Sequence, residues 1–165
     1  MEPKFITDVN VGKLGKYLRL MGYDTVFFDE QDDGLMVKAA IAQGRIILTK
    51  DSEFMKRRAI TTGRVRAVLV CSDRPDQQLT AVLDTLKLDK GYKPFTRCLE
   101  CNSLLVNKSK QEVEGLVPPR VWAKHDNYMQ CPYCGRIYWK GTHWQAMSGK
   151  LSSLVPAQEK RGEVL

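Results

Sequence analysis

Four of the five cysteines form two closely spaced pairs, a pattern typical of a metal site. The pairs are Cys98 with Cys101 and Cys131 with Cys134, and two residues separate the thiols in each. Two such turns can point four thiolates at one ion, so the pattern predicts a structural zinc ion rather than an iron–sulfur cluster or a redox dithiol. A site with four protein ligands has no open position for catalysis. The fifth cysteine, Cys71, ends an apolar run and is expected to be a buried thiol.

Aspartates form the second candidate constellation. They follow apolar segments along the first half of the chain, as Asp8, Asp32, Asp33, Asp51 and Asp73. Carboxylates that face one another repel, and a hard divalent cation such as Mg²⁺ or Mn²⁺ would neutralise them and activate a water for phosphodiester hydrolysis. Each aspartate alone is more typical of a turn or a helix N-cap. The metal hypothesis therefore depends on the fold bringing them together.

Basic side chains flank these aspartates. The formal net charge is +7, and most of the excess lies in residues 91–165, which favours a polyanionic partner. We expect six basic residues of the first half to hold nucleic-acid phosphates around the acidic centre. They are Lys13, Lys16, Arg19, Lys50, Arg57 and Arg58.

Alternating strands and helices must position the aspartates. Short β-branched or apolar segments at 4–7, 25–28, 45–49 and 67–71 predict strands, and each is followed by a helical pattern. Such alternation with short connections predicts an α/β fold whose parallel sheet is covered by helices on its faces. The carboxyl ends of parallel strands meet at one edge, where we expect the aspartates to converge.

The pattern changes near residue 92. We predict an α/β domain over 1–92, a small metal-stabilised domain over 93–147, and a flexible tail over 148–165. The middle segment contains both cysteine pairs and all three tryptophans. Its aromatic residues between basic groups, at 138–144, are expected either to stack on nucleic-acid bases or to pack the small core.

Composition excludes several classes of protein. In 165 residues, 43% are hydrophobic and 27% are charged, which are ordinary globular values and exclude collagen and wholesale disorder. No apolar run approaches the ~20 residues of a membrane span, and no signal peptide precedes the first strand. We therefore expect a cytoplasmic or nuclear protein with no membrane partner.

Five segments, taken in order, carry a resemblance to a known family. They are FITD at 5–8, GKLGKYLRLMGYDT at 12–25, GRIILTKD at 44–51, RCLECN at 97–102 and CPYCGRIYWKGTHW at 131–144. Together they resemble the RNase domain at the C-terminus of Mut-seven-type exonucleases, which also occurs as a stand-alone prokaryotic protein. The resemblance implies a PIN-like domain, a three-layer α/β/α parallel sheet, followed by a zinc ribbon.

The resemblance also implies a metal-dependent endoribonuclease. Asp8 matches the family's first-strand aspartate, Asp51 matches the aspartate of its Leu-Thr-basic-Asp motif, and the acid at the start of the second helix falls on Asp33 or Asp32. Asp73 is the weakest match. The implied reaction is hydrolysis of single-stranded RNA by one or two Mg²⁺ or Mn²⁺ ions, leaving a 3′-hydroxyl and a 5′-phosphate. A homodimer or a ribonucleoprotein partner is also expected.

Two alternatives remain open at the level of sequence. In the first, the same domains bind RNA or a ribonucleoprotein without cutting it. The second is a phosphoacceptor signalling domain, which would need an acidic pair after the first strand and a fifth strand. The sequence offers neither feature, because only Asp8 follows the first strand and no fifth strand is predicted before the cysteine pairs.

Overall fold

A parallel sheet of four strands organises the first half of the chain. In a computed structural model, which describes residues 1–88, 93 and 95–154, the strands are β1 (Lys4–Thr7), β2 (Thr25–Phe27), β3 (Arg45–Thr49) and β4 (Ala67–Leu69). Their order is β2-β1-β3-β4, and every neighbouring pair is parallel. This confirms the predicted α/β fold with a parallel sheet.

The helices that connect these strands begin and end where the local chemistry requires. They are α1 (Gly12–Leu20), α2 (Asp33–Gln43), α3 (Arg58–Thr61) and α4 (Pro75–Thr85), with single 3-10 turns at Val9–Val11 and Phe54–Lys56. Asp32 caps α2, because its Oδ1 accepts hydrogen bonds from Gly34 N at 2.8 Å and Leu35 N at 3.1 Å. Gly44 ends the helix with φ 63°, a conformation that favours glycine.

Alternating side chains of the sheet enter two separate cores. Phe5 and Leu48 pack with α1 and α4 on one face, whereas Ile6 and Ile47 pack with α2 on the other face. Both faces are thus buried, as expected for parallel strands with continuous apolar sequence. The result is helices on both sides of a central sheet. The finer prediction of a PIN-like fold stays a prediction.

The cysteine-rich segment folds around a small antiparallel sheet. Its strands are β5 (Val106–Lys108), β6 (Tyr128–Gln130) and β7 (Ile137–Tyr138), and α5 (Pro119–Lys124) lies between β5 and β6. Val113, Val117 and Tyr128 form a core of only three buried residues. We call residues 95–141 the ribbon. A core this small indicates that another source of stability is needed, such as a metal ion.

The chain then returns to the first domain through α6 (Thr142–Leu154). Leu151 is 2% exposed and belongs to the core built by α1 and α4, with Met147 and Leu154 packed against it. The predicted tail over 148–165 therefore needs correction, because residues 148–154 are helical and contribute to the core. Residues 155–165, like the predicted boundary at 92, lie outside the described part.

No helix among the described residues is long and apolar enough to cross a membrane.

Candidate functional site

The four paired cysteines converge on one point of the ribbon. Their Sγ atoms all lie within 4.8 Å of one another, with 3.6 Å between Cys98 and Cys134 and 3.3 Å between Cys101 and Cys131. Four thiolates at 2.3 Å around a tetrahedral zinc ion stand about 3.8 Å apart. The geometry of the quartet therefore fits a zinc ion closely, and the predicted ligand atoms are brought together.

Two matching turns create this quartet. In each turn the backbone N–H of the residue after the second cysteine donates to the carbonyl of the first cysteine. The bonds are Asn102 N to Cys98 O at 2.9 Å and Gly135 N to Cys131 O at 3.0 Å. Asn102 and Gly135 both have positive φ, 69° and 76°. Asparagine and glycine tolerate this region best, which explains why these residue types follow the two pairs.

The surroundings of the thiols differ between the two pairs. Burial opposes ionisation of Cys101, but hydrogen bonds with Ser103 and the neighbouring thiols outweigh it and lower the pKa of Cys101 to about 6. A backbone hydrogen bond from Arg136 lowers the pKa of Cys134, but burial and the neighbouring thiols raise it to about 11. The two pairs therefore differ in how readily their thiols ionise, and metal ions bind the thiolate form.

Arg19 joins the ribbon to the sheet and is not available to RNA. Its side chain is 3% exposed, its Nε donates to Thr25 O at 2.7 Å, and its Nη1 donates to Leu99 O at 2.8 Å. The guanidinium lies 3.8 Å from the centroid of the Phe27 ring. Burial lowers the pKa of Arg19, while the nearby charges of Cys98 and Cys101 raise it. The prediction that Arg19 holds nucleic-acid phosphates was wrong.

A second polar contact joins the ribbon to the sheet. Asn102 Oδ1 accepts from Thr25 N at 3.0 Å, and its Nδ2 donates to Asp24 Oδ1 at 2.7 Å. Asp24 Oδ1 also accepts from Arg45 Nη1 at 2.7 Å. Hydrogen bonds of Asn102, the residue after Cys101, thus connect the first cysteine turn directly to the start of β2.

The predicted acidic residues lie along the carboxyl edge of the parallel sheet. Asp8 follows β1 and Asp51 follows β3, two adjacent strands at the centre of the sheet. The strand order reverses direction between β1 and β3, and ligands of open α/β sheets bind outside the strand ends at such a point. Asp33, the first residue of α2, and Asp51 line the same open depression of about 290 Å³.

Each acid also has a local role. Asp8 Oδ1 accepts from Asn10 N at 2.9 Å, and Asp51 Oδ1 accepts from Glu53 N at 2.8 Å. Neither forms an ion pair with another described residue. Asp32 is occupied as the N-cap of α2, whereas Asp33 points to the depression and pairs with Arg57 Nη2 at 3.0 Å. Asp32 and Asp33, between which the sequence did not distinguish, therefore have different surroundings.

The carboxylates are less tightly grouped than the thiols. Among the described residues, the cysteine quartet is the one group of at least three ligating side chains whose ligand atoms lie within 4.8 Å of one another. Thr7, the last residue of β1, is fully buried and its Oγ1 has no partner within the described residues. The hard oxygen donors at this edge fit Mg²⁺ or Mn²⁺ in type.

Of the remaining predicted basic residues, two pair with predicted acids. Lys50 forms an ion pair with Asp73, which lies after β4, and Arg57 forms the pair with Asp33. Lys13 and Arg58 are exposed. Lys16 binds Glu100 Oε1 at 2.8 Å and so faces the ribbon.

Two further outcomes differ from the sequence analysis. Glu53 also lines the depression, and its position two residues after Asp51 was the signal that could have identified it. Cys71 is exposed rather than buried. β4 ends at Leu69, and the chain leaves the core after Val70.

Comparison with known protein families gives a match over most of the chain. A family model described as the Mut7-C RNAse domain matches residues 3–151, which include the parallel sheet, the acidic edge and the cysteine quartet. No match was found among curated proteins or among solved structures. The resemblance seen in the sequence is confirmed, and the chain belongs to the Mut7-C RNAse domain family.

Proposed function

We propose that this protein is a metal-dependent ribonuclease whose centre lies at the carboxyl edge of the parallel sheet. The observation that carries the proposal is the placement of Asp8 and Asp51 after adjacent central strands, with Asp33 and Asp51 lining one depression. Membership of an RNase domain family supplies the substrate class. An open depression at this edge suits an extended single strand.

In the proposed reaction, Asp8, Asp33 and Asp51 hold one or two Mg²⁺ or Mn²⁺ ions. When bound, such an ion makes a water more acidic and stabilises negative charge on the phosphoryl oxygens. Lys50 and Arg57 stand beside the acids and could neutralise the scissile phosphate once RNA replaces their present partners. In-line attack by water would break the bond to the 3′-oxygen, leaving a 3′-hydroxyl and a 5′-phosphate.

We propose that zinc in the cysteine quartet is structural. Its four ligands are all protein thiolates, and the hydrophobic cluster of the ribbon contains only three buried side chains among the described residues. The ion would fix the turn from Cys98 to Cys101, in which Leu99 O accepts from Arg19 of α1 and next to which Asn102 accepts from Thr25 of β2. The ribbon would thereby keep its position relative to the acidic edge.

The proposal is tested with labelled single-stranded RNA in Mn²⁺ or Mg²⁺. We expect products with 5′-phosphates, and we expect Asp8→Asn and Asp51→Asn to reduce the cleavage rate by at least ~100-fold, since each removes a metal ligand. Glu114→Gln, a neutralisation at an exposed position of the ribbon, is the matched control and should cut at the wild-type rate. Equal cleavage by Asp51→Asn and the control would disprove the assigned centre.

A non-catalytic RNA-binding module is the second candidate function. The ion pairs of Asp33 with Arg57 and of Asp73 with Lys50 favour it, because they neutralise two of the five predicted acids. In that case wild type and Asp51→Asn would shift RNA equally on a gel, with no cleavage in any metal.

A further inference from the structure

A second cavity lies away from the acidic edge, where the ribbon meets α1 and α6. Its volume is about 460 Å³, within the range of small-molecule sites. Phe95, Tyr138, Trp139 and Trp144 contribute aromatic side chains to its walls. Such a concentration of rings in one cavity provides flat apolar surfaces of the kind on which nucleobases stack.

Part of this aromatic wall is already ordered by contacts within the protein. The rings of Phe95 and Trp144 stack with centroids 5.2 Å apart and an interplanar angle of 18°. Tyr138 Oη accepts from Leu99 N at 3.1 Å. Gly141 lets the Trp139 indole approach closely, since a Cβ at that position would stand 2.8 Å from Trp139 Nε1. The rings are therefore held in place and need little ordering on binding.

One polar atom among the residues that line the cavity lacks a partner. The indole Nε1 of Trp144 is buried and has no hydrogen-bond acceptor within the described part of the chain. Buried N–H groups are nearly always paired, so an orphan donor indicates that an acceptor is missing.

The charge around the cavity favours an anionic ligand. Arg136 and His143 are exposed and line it, and Lys140 Nζ lies 5.3 Å from the centroid of the Trp144 ring. Glu100 also lines the cavity, but Lys16 Nζ is 2.8 Å from its Oε1 and offsets its charge. An aromatic cavity with cations at its rim matches a base that carries a phosphate.

We propose that this cavity binds one unpaired base of an RNA strand, with Arg136 and Lys140 holding the adjacent phosphates. The inference rests on the proposed function for its choice of RNA as the ligand. It adds a specific anchoring position on the ribbon, separate from the acidic edge where cleavage is proposed. The RNA would then be held at two places, by a base in the ribbon and by its backbone at the sheet.

The test measures binding in the absence of added Mg²⁺ or Mn²⁺, so that cleavage does not interfere. The probes are a fluorescein-labelled 12-nucleotide oligouridylate and an abasic ribose-phosphate strand of the same length, both followed by fluorescence anisotropy. We expect Trp144→Ala to weaken binding of the oligouridylate by about tenfold or more, because it removes one base-stacking platform. Binding of the abasic strand should change less than about twofold.

Two further variants make the test specific. Lys150→Ala removes an exposed charge from the same helix at a position that does not line the cavity, and it should bind both probes like wild type. Replacing Arg136 and Lys140 together by alanine removes the two rim charges and keeps all four aromatic side chains. It should lower the slope of log affinity against log salt by about 1.4, the value for two phosphate contacts on a single strand.

The possible results separate this inference from the proposed function. If Trp144→Ala retains its zinc and its circular dichroism spectrum but binds oligouridylate like wild type, the cavity is not the base site. An equal loss on the abasic strand would also overturn it. RNA cleavage by wild type is assayed separately with Mn²⁺. Trp144-dependent binding without any cleavage would support the cavity and disprove only the ribonuclease.

Discussion

Replacing Arg19 by alanine should destabilise the protein by about 4 kcal/mol. The buried guanidinium donates to Thr25 O and Leu99 O and stacks on Phe27. Each hydrogen bond from a charged donor contributes about 1.5–3 kcal/mol, and the ring contact contributes about 0.5–2 kcal/mol. Desolvation of the cation offsets part of this sum. These contributions range together from about 3.5 to 8 kcal/mol, so a net loss near the lower end, about 4 kcal/mol, is expected.

Thermal and urea unfolding of the zinc-loaded protein measure this effect. For a chain of this size, 4 kcal/mol corresponds to a fall in Tm of about 8–16 °C. Arg19→Lys should lose most of the same stability, since an ammonium lacks the planar fork that reaches two separate carbonyls. Lys13→Ala, on the exposed side of the same helix, is the control and should change stability by less than about 0.5 kcal/mol.

The reasoning would be refuted if Arg19→Ala unfolded within 1 kcal/mol of wild type with its zinc content unchanged. That result would mean that the cost of burying the cation cancels its hydrogen bonds, and that Arg19 does not hold the ribbon to the sheet. A loss confined to the ribbon, seen as earlier exchange of its amide hydrogens, would instead support the role of Arg19 as a tie between the two parts.

Three more predictions follow from the packing and the charges. Gly15→Ala should lower the free energy of unfolding by about 1–3 kcal/mol in urea unfolding, because a Cβ there would lie 2.2 Å from Phe27 Cε1. Gly12→Ala should instead raise it by about 0.5–1 kcal/mol, because a Cβ at that position of α1 would meet open space. Cys98→Ser should lower the zinc content, measured by mass spectrometry of the native protein, from one ion per chain to less than one, and should lower Tm. Burial raises the pKa of Asp24, but hydrogen bonds from an arginine and an asparagine outweigh it and leave the pKa below its ordinary value. Its stabilising effect is therefore present at pH 7 and is lost as pH falls below about 4, so in urea unfolding Asp24→Asn should be less stable than wild type at pH 7 and approach it at pH 3.

The sheet and the cysteine quartet could be predicted because their signals are local. Parallel strands with both faces covered read as short apolar runs, and β3 is such a run. The spacing of the cysteines constrains a turn directly. The end of α2 could also be predicted, because glycine readily adopts the left-handed conformation that ends a helix, and Gly44 does so here.

The errors came from properties that depend on tertiary contacts. In the sequence, Arg19 cannot be distinguished from the exposed Lys13, because both are basic residues of the same helix. Only the contacts of Arg19 with Leu99 and Phe27 show that its role is structural. The helix after residue 142 carries Met147, Leu151 and Leu154 on one face, but polar residues separate them, and their partner core lies in the first half of the chain. The pairing of Asp33 with Arg57 likewise joins positions that are distant in sequence.

The return of α6 to the first core has a consequence for synthesis of the chain. Leu151 packs in a core whose other buried residues end at Leu83, so this side of the core leaves the ribosome well after the rest. At about 5–20 residues per second, the interval is roughly 3–14 s. During this time the nascent sheet domain exposes the apolar surface that α6 later covers. Chaperones that shield such surfaces would have their greatest effect on yield in that interval, before the helix docks.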